Sequence, residues 1–243
     1  MQIESIALVL RPRSMWEGCD LGVRLLQSWL RTVFSCYLAV AVPLFALLFA
    51  TYAIASWLPA LLIWLAKPWL DRTVLFSLSR ALFGEPTTPL DVWAARRQVW
   101  WSKIVVTLTL QRLSASRSFK QPILQLEGLS GADLRSRVRQ LTLKHRGVAR
   151  TMTLAFANAE IALFSSILAL QAWLAPHAFN FQWSAFAEPF GSKENLLSSL
   201  AYAAVVAFLE PFYVAAGFGL YLNRRVELEA WDLEQEFRRV FAT

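Results

Sequence analysis

The sequence predicts an all-α, polytopic transmembrane helical bundle with amphipathic interfacial helices on the cytoplasmic side. Three observations carry this prediction. The 243 residues are 56% hydrophobic and only 17% charged, whereas a soluble domain holds about 25% charged residues. Residues 33–66 contain no formal charge, and residues 196–222 contain one, Glu210; a span needs roughly 20 mostly apolar residues. Basic residues concentrate between those runs, as the positive-inside rule requires of a cytoplasmic segment.

Residues 1–32 read as a strand-like start over 3–10 followed by a helix. Leu21, Leu25 and Trp29 recur at helical spacing with Leu26 and Leu30, while Arg24 and Arg31 lie off that stripe. Such a helix either lies in the membrane interface or packs on other protein. The run 33–66 has 34 positions, about 51 Å as one helix against a core of about 30 Å. It must break, and Pro43 and Pro59 are the expected break points, with Trp57 as an interface anchor. Residues 33–83 then form either a helical hairpin or two full spans.

Both solutions return residues 84–150 to the side of the N-terminus. This segment carries 12 Lys/Arg against 4 Asp/Glu and is assigned to the cytoplasm. An amphipathic helix is expected over 93–113, and a basic helix over 133–150 that runs into the next span. Spans follow at 151–176 and 196–222, joined by a periplasmic loop at 177–195. Residues 223–243 form a cytoplasmic tail, amphipathic from Val226. Both termini are thereby cytoplasmic, and the first apolar run begins too late for a signal peptide.

Several chemistries are disfavoured. The two cysteines, Cys19 and Cys36, have no metal or redox spacing, and His145 and His177 are assigned to opposite sides of the membrane. No metal, cofactor or disulfide is expected. No Gly-rich phosphate loop or nucleophile motif occurs, so an enzyme is not expected. The net charge of +7 is accounted for by topology, which argues against nucleic acid. The expected partners are membrane lipid and a protein at the cytoplasmic face, with self-association left open.

Three constellations remain. A carboxyl in mid-membrane costs on the order of 3 kcal/mol and generally has a partner or a task. Glu160 lies nine residues into its span and Glu210 twelve before the end of its own, about 14 and 18 Å from the same surface. They are able to face each other on antiparallel helices. One reading is a proton or cation site; the other is a neutral Glu bonded to Asn158, Tyr202 or Tyr213 that holds the bundle together. Pro211 next to Glu210 removes a helical hydrogen bond and bends the helix there. Lys67 and Asp71, four apart, are expected to pair on a helix face beside Arg72, as a solvated interfacial ion pair or a polar crevice. At the membrane exit, Glu127, Arg224, Arg225, Glu229 and Asp232 form a patterned cluster in which Arg224 or Arg225 pairs with Glu229 or Asp232.

These segments also resemble a known group. The residues concerned are Arg11-Pro12-Arg13-Ser14 with Trp16-Glu17 and Asp20-Leu21-Gly22, the stretches 78–84 and 116–119, and Leu126-Glu127-Gly128-Leu129. With them go 210–218, 220–225 and Leu228-Glu229-Ala230-Trp231-Asp232. Together they are similar to a family of proteobacterial multi-span inner-membrane proteins of unknown function, many of which carry a further C-terminal region. The resemblance implies a fold and a bacterial inner-membrane location, and no chemistry. The resulting expectation is a non-enzymatic scaffold that docks a partner at the cytoplasmic face; the alternative is a small transporter or channel subunit built on Glu160 and Glu210.

Overall fold

The first described helix, α1 (Met15–Ser28), begins at a reciprocal cap. The Ser14 hydroxyl accepts from the Glu17 N–H, and the Glu17 carboxylate accepts from the Ser14 N–H, so two of the orphan donors of a helix start are satisfied. The structure is a computed structural model that describes residues 13–101, 114, 116–143, 146–174 and 195–229. The expected strand-like start at 3–10, the loop at 177–194, both histidines and the tail beyond Glu229 lie outside the described residues. Among the described residues there are only helices and connections.

After α1 come α2 (Leu30–Phe49), a 3₁₀ turn (Ala50–Ala53) and α3 (Leu58–Leu82). The break expected in the apolar run therefore falls between the two prolines. Pro43 stays inside α2, and Pro59 sits in the first turn of α3, where a missing N–H leaves no helical bond unmade.

The basic segment departs most from expectation. It opens with α4 (Pro89–Ala94) and a π-helical turn (Arg97–Trp101), instead of one helix over 93–113; residues 102–113 lie outside the described set. The Trp100 indole donates to the Thr73 hydroxyl at 3.0 Å and packs at a tilt against Trp69, ring centres 5.1 Å apart. This stretch thus folds back along α3. Next is α5 (Arg117–Leu126), which the sequence reading did not anticipate, and then α6 (Gly131–Thr142). The expected helix over 133–150 is interrupted: Leu143 is extended and α7 (Arg146–Leu174) starts afresh. The last described helix is α8 (Asn195–Glu229), which continues through Pro211.

Among the described residues, three helical segments are long and apolar enough to cross a membrane: Leu30–Ala53, Arg146–Gln171 and Leu196–Leu228. They match the apolar runs at 33–66, 151–176 and 196–222. Their surroundings differ. The apolar window of α8 is 72% buried and that of α7 is 0% buried, so α8 is the central post and α7 a peripheral helix with apolar residues facing outward.

The other helices orient themselves on α8. α1 runs antiparallel to it, with Gly18 and Gly22 against Ala215, Gly219 and Asn223. A Cβ added at Gly22 would overlap the Ala215 carbonyl, and one at Gly219 would overlap the Gly18 carbonyl. Small residues four apart on both helices permit this approach, as in other close helix pairs in membranes. α5 runs parallel to α8: Arg117 meets Glu210, Ser118 meets Tyr213 and Glu127 meets Tyr221. α7 is antiparallel, since Thr153 and Phe156 touch Tyr213 whereas Phe164 touches Tyr202. Of the two readings of the N-terminal helix, packing on protein is the one observed.

Cys19 on α1 is buried against Met152, and Cys36 on α2 is buried beside the Thr87 carbonyl. Burial, then the nearby Asp20, pushes the Cys19 thiol up to about 12. At pH 8 it stays protonated, and the thiolate is the reactive form. N-ethylmaleimide is expected to leave the folded protein unlabelled over an hour at pH 8 and to label both cysteines after unfolding, as counted by intact mass.

Candidate functional site

Five charged side chains from four helices meet at mid-height of α8. Lys67 of α3 sits between the two carboxyls of interest, with Nζ 2.6 Å from Glu160 Oε2 on α7 and 2.9 Å from Glu210 Oε2 on α8. The other oxygen of Glu210 pairs with Arg117 Nη2, at the first turn of α5. Arg117 Nε lies 2.9 Å from Asp71 Oδ2 on α3. That last contact is electrostatic, because neither atom has an aligned hydrogen-bond partner among the described residues. The order is Glu160–Lys67–Glu210–Arg117–Asp71.

The local sequence explains why these groups converge. Lys67 and Asp71 are four apart and project from one face of α3, toward α8. Glu160 and Glu210 lie near the middles of two antiparallel helices. Arg117 comes from α5, whose apolar side (Phe119, Ile123) is buried in the core while its start reaches Glu210. The positive end of the α5 dipole adds to the field on the acids. Burial works against the charge on Arg117, but Asp71 and Glu210 outweigh it and hold the guanidinium above the ordinary arginine range. The guanidinium also lies over the Tyr213 ring, 5.0 Å from its centroid.

Burial is uneven along the chain of charges. Lys67, Asp71, Arg117 and Glu210 are almost wholly buried, whereas the Glu160 side chain is 20% exposed. Glu160 faces a cavity of about 270 Å³ that also reaches Lys67, Arg117 and Glu210. Trp64, Phe156 and Leu209 form its apolar wall, and Ser114, Thr153 and Tyr213 supply hydroxyls.

Compared with family models, with curated proteins and with solved structures, the chain matches none.

The sequence-predicted residues divide as follows. Glu160 and Glu210 do come together, through Lys67 and not by direct contact. Lys67 and Asp71 are not a solvated interfacial pair: both are buried, and each pairs with a group on another helix. Arg72 is also buried, with its backbone carbonyl accepting from the Gln125 amide at 3.0 Å. Asn158 takes no part; its amide donates to the Leu154 carbonyl on an exposed face. Tyr213 bonds Thr153 and Ser118 near the cluster, and Pro211 is buried in α8 next to Glu210.

At the exit of α8, Glu127 accepts from Tyr221 at 3.0 Å and from Arg137 at 2.8 Å. Arg224 pairs with Glu227 at 2.7 Å, and Arg225 donates to the Tyr221 hydroxyl. The Glu229 side chain and Asp232, expected as partners of Arg224 or Arg225, lie outside the described set. Sequence reasoning missed Arg117, which it counted among the cytoplasmic charges. The available signal was the Arg117, Phe119, Ile123, Leu126 spacing, an apolar helix face headed by a cation.

Proposed function

We propose that this chain is a non-enzymatic, proton-linked transport protein of a bacterial inner membrane, with Glu160 as the group that exchanges protons with the cavity. The resemblance noted from the sequence supports the location. The observation that carries the reading is the composition of the cluster: three acids against two bases, beside a cavity, in the interior of a membrane bundle. With every group ionised, the five sum to −1. An uncompensated charge in such surroundings is expensive, and a proton or a small cation removes it. Glu160 is the acid with access, and its partner Lys67 keeps Glu210 when Glu160 is neutral. Protonation of Glu160 therefore loosens the α7 contact while the α3–α8–α5 contacts persist. The cavity suits a small polar solute.

Four crossings, by α2, α3, α7 and α8 with both ends of the chain cytoplasmic, fit this reading. The charges on α3 then face protein instead of lipid.

The test is charge displacement after a pH jump on solid-supported membranes carrying the reconstituted protein. Wild type is expected to give a transient current, and Glu160→Gln to lower it sharply while the protein still folds and unfolds cooperatively. A wild-type signal no larger than that of protein-free liposomes would rule the reading out.

The docking alternative has one observation in its favour. Leu90, Trp93 and Trp101 stand exposed on the α4 segment, and exposed aromatic residues are enriched at interfaces.

A further inference from the structure

A second cavity, of about 700 Å³, opens where α3, α5, α6 and α8 come together at the exit end of α8. Its wall is apolar, with Leu82, Phe83, Leu126, Leu129, Phe218 and Leu222. Three arginines from three different helices also line it: Arg80 of α3, Arg137 of α6 and Arg225 of α8. Acids accompany them. Glu85 lies 3.2 Å and Asp91 3.9 Å from Arg80, and Glu127 lies 2.8 Å from Arg137. The lining thus gathers three guanidinium groups at one side of an apolar pocket.

We propose that this cavity binds an anionic phospholipid of the surrounding bilayer, with its phosphate among Arg80, Arg137 and Arg225 and one acyl chain along the apolar wall. Four features support that occupant. Guanidinium groups are the preferred partners of phosphate oxygens. The volume lies within the range of ligand pockets of about 300–1,000 Å³. The wall is too apolar for a free phosphate, which has nothing to place there. The site also includes residues 218–225 near the end of the Leu196–Leu228 segment, the level at which headgroups meet a spanning helix, and basic pockets between such helices hold anionic headgroups. The site does not depend on the transport reading, because it shares no residue with the mid-membrane cluster.

The test is native mass spectrometry of the full chain in detergent, titrated with phosphatidylglycerol or with phosphatidylcholine of the same acyl chains. Phosphatidylglycerol is expected to bind more tightly. Arg137→Gln and Arg225→Gln are each expected to weaken it about fivefold, with no change for phosphatidylcholine. Leu129→Trp narrows the apolar part of the cavity and removes no arginine, so it is expected to weaken phosphatidylglycerol too; it also serves if an arginine variant misfolds. Glycerol phosphate, which lacks the acyl chains, is expected not to compete. Equal binding of the two lipids, no effect of Leu129→Trp, or displacement by glycerol phosphate would each overturn the assignment.

Discussion

Arg117→Met is expected to destabilise the bundle by about 3–5 kcal/mol, the range for breaking a buried ion pair from one side. The methionine keeps much of the arginine stem, so packing is largely retained. What disappears, among the described residues, is the one cation paired with Asp71 and one of the two paired with Glu210. Both carboxylates are almost wholly buried, so the loss of the guanidinium leaves them poorly compensated. Unfolding in mixed detergent, followed by circular dichroism, measures the loss. The mechanism makes a second claim. Asp71→Asn in the Arg117→Met background removes a charge that has lost its partner and is expected to restore part of the stability. The same change in the wild-type protein is expected to be destabilising, because it leaves Arg117 with Glu210 alone. If Arg117→Met and wild type unfold together, the cluster does not hold these helices.

Gly22→Val is the second large effect, expected to destabilise by about 3 kcal/mol, at the upper end for overpacking. The new side chain has no room, because its Cβ would enter the space of the Ala215 carbonyl. The neighbour is backbone of the central helix, which cannot rotate away as a side chain can. α1 must therefore separate from α8, exposing Leu25, Leu26 and Cys19, all now buried. Maleimide labelling of Cys19 gives a direct readout of that separation. Gly147→Val is the matched control, since nothing stands within 4 Å of a Cβ there. An unlabelled, equally stable Gly22→Val protein would show that the α1–α8 approach is not tight.

Much of the architecture is legible without coordinates. Apolar length and the absence of charge place the starts of three segments to within five residues, and their ends less closely. The depths of Glu160 and Glu210 follow from their positions in antiparallel helices, so their approach is legible as well. The bridge between them is not. Lys67 pairs with a residue 93 positions away, and no local period records such a contact. Arg117 shows the limit more sharply. Charge counting treats a solvated and a buried arginine alike, so its place in a basic segment hides its place in the bundle. The segment 84–101 is similar, since Trp100 returns to Thr73 through a tertiary hydrogen bond. The Gly18–Gly22 and Ala215–Gly219 spacings, by contrast, stand openly in the sequence, and their meaning depends on knowing that the two helices are neighbours.

The central position of α8 bears on how the chain is made. Helices α1 to α7 leave the ribosome before the helix against which most of them pack. Lys67 precedes Glu160 by 93 residues, and Arg117 precedes Glu210 by the same number. At about 5–20 residues per second, each cation waits roughly 5–20 s for its acid. During that interval α3 carries Lys67, Asp71 and Arg72 with their later partners still unmade. Such a helix is a poor candidate for early release into lipid. In the proposed four-crossing arrangement, its entry into the bilayer is best timed with the arrival of the acids, so that the charges cross together as pairs.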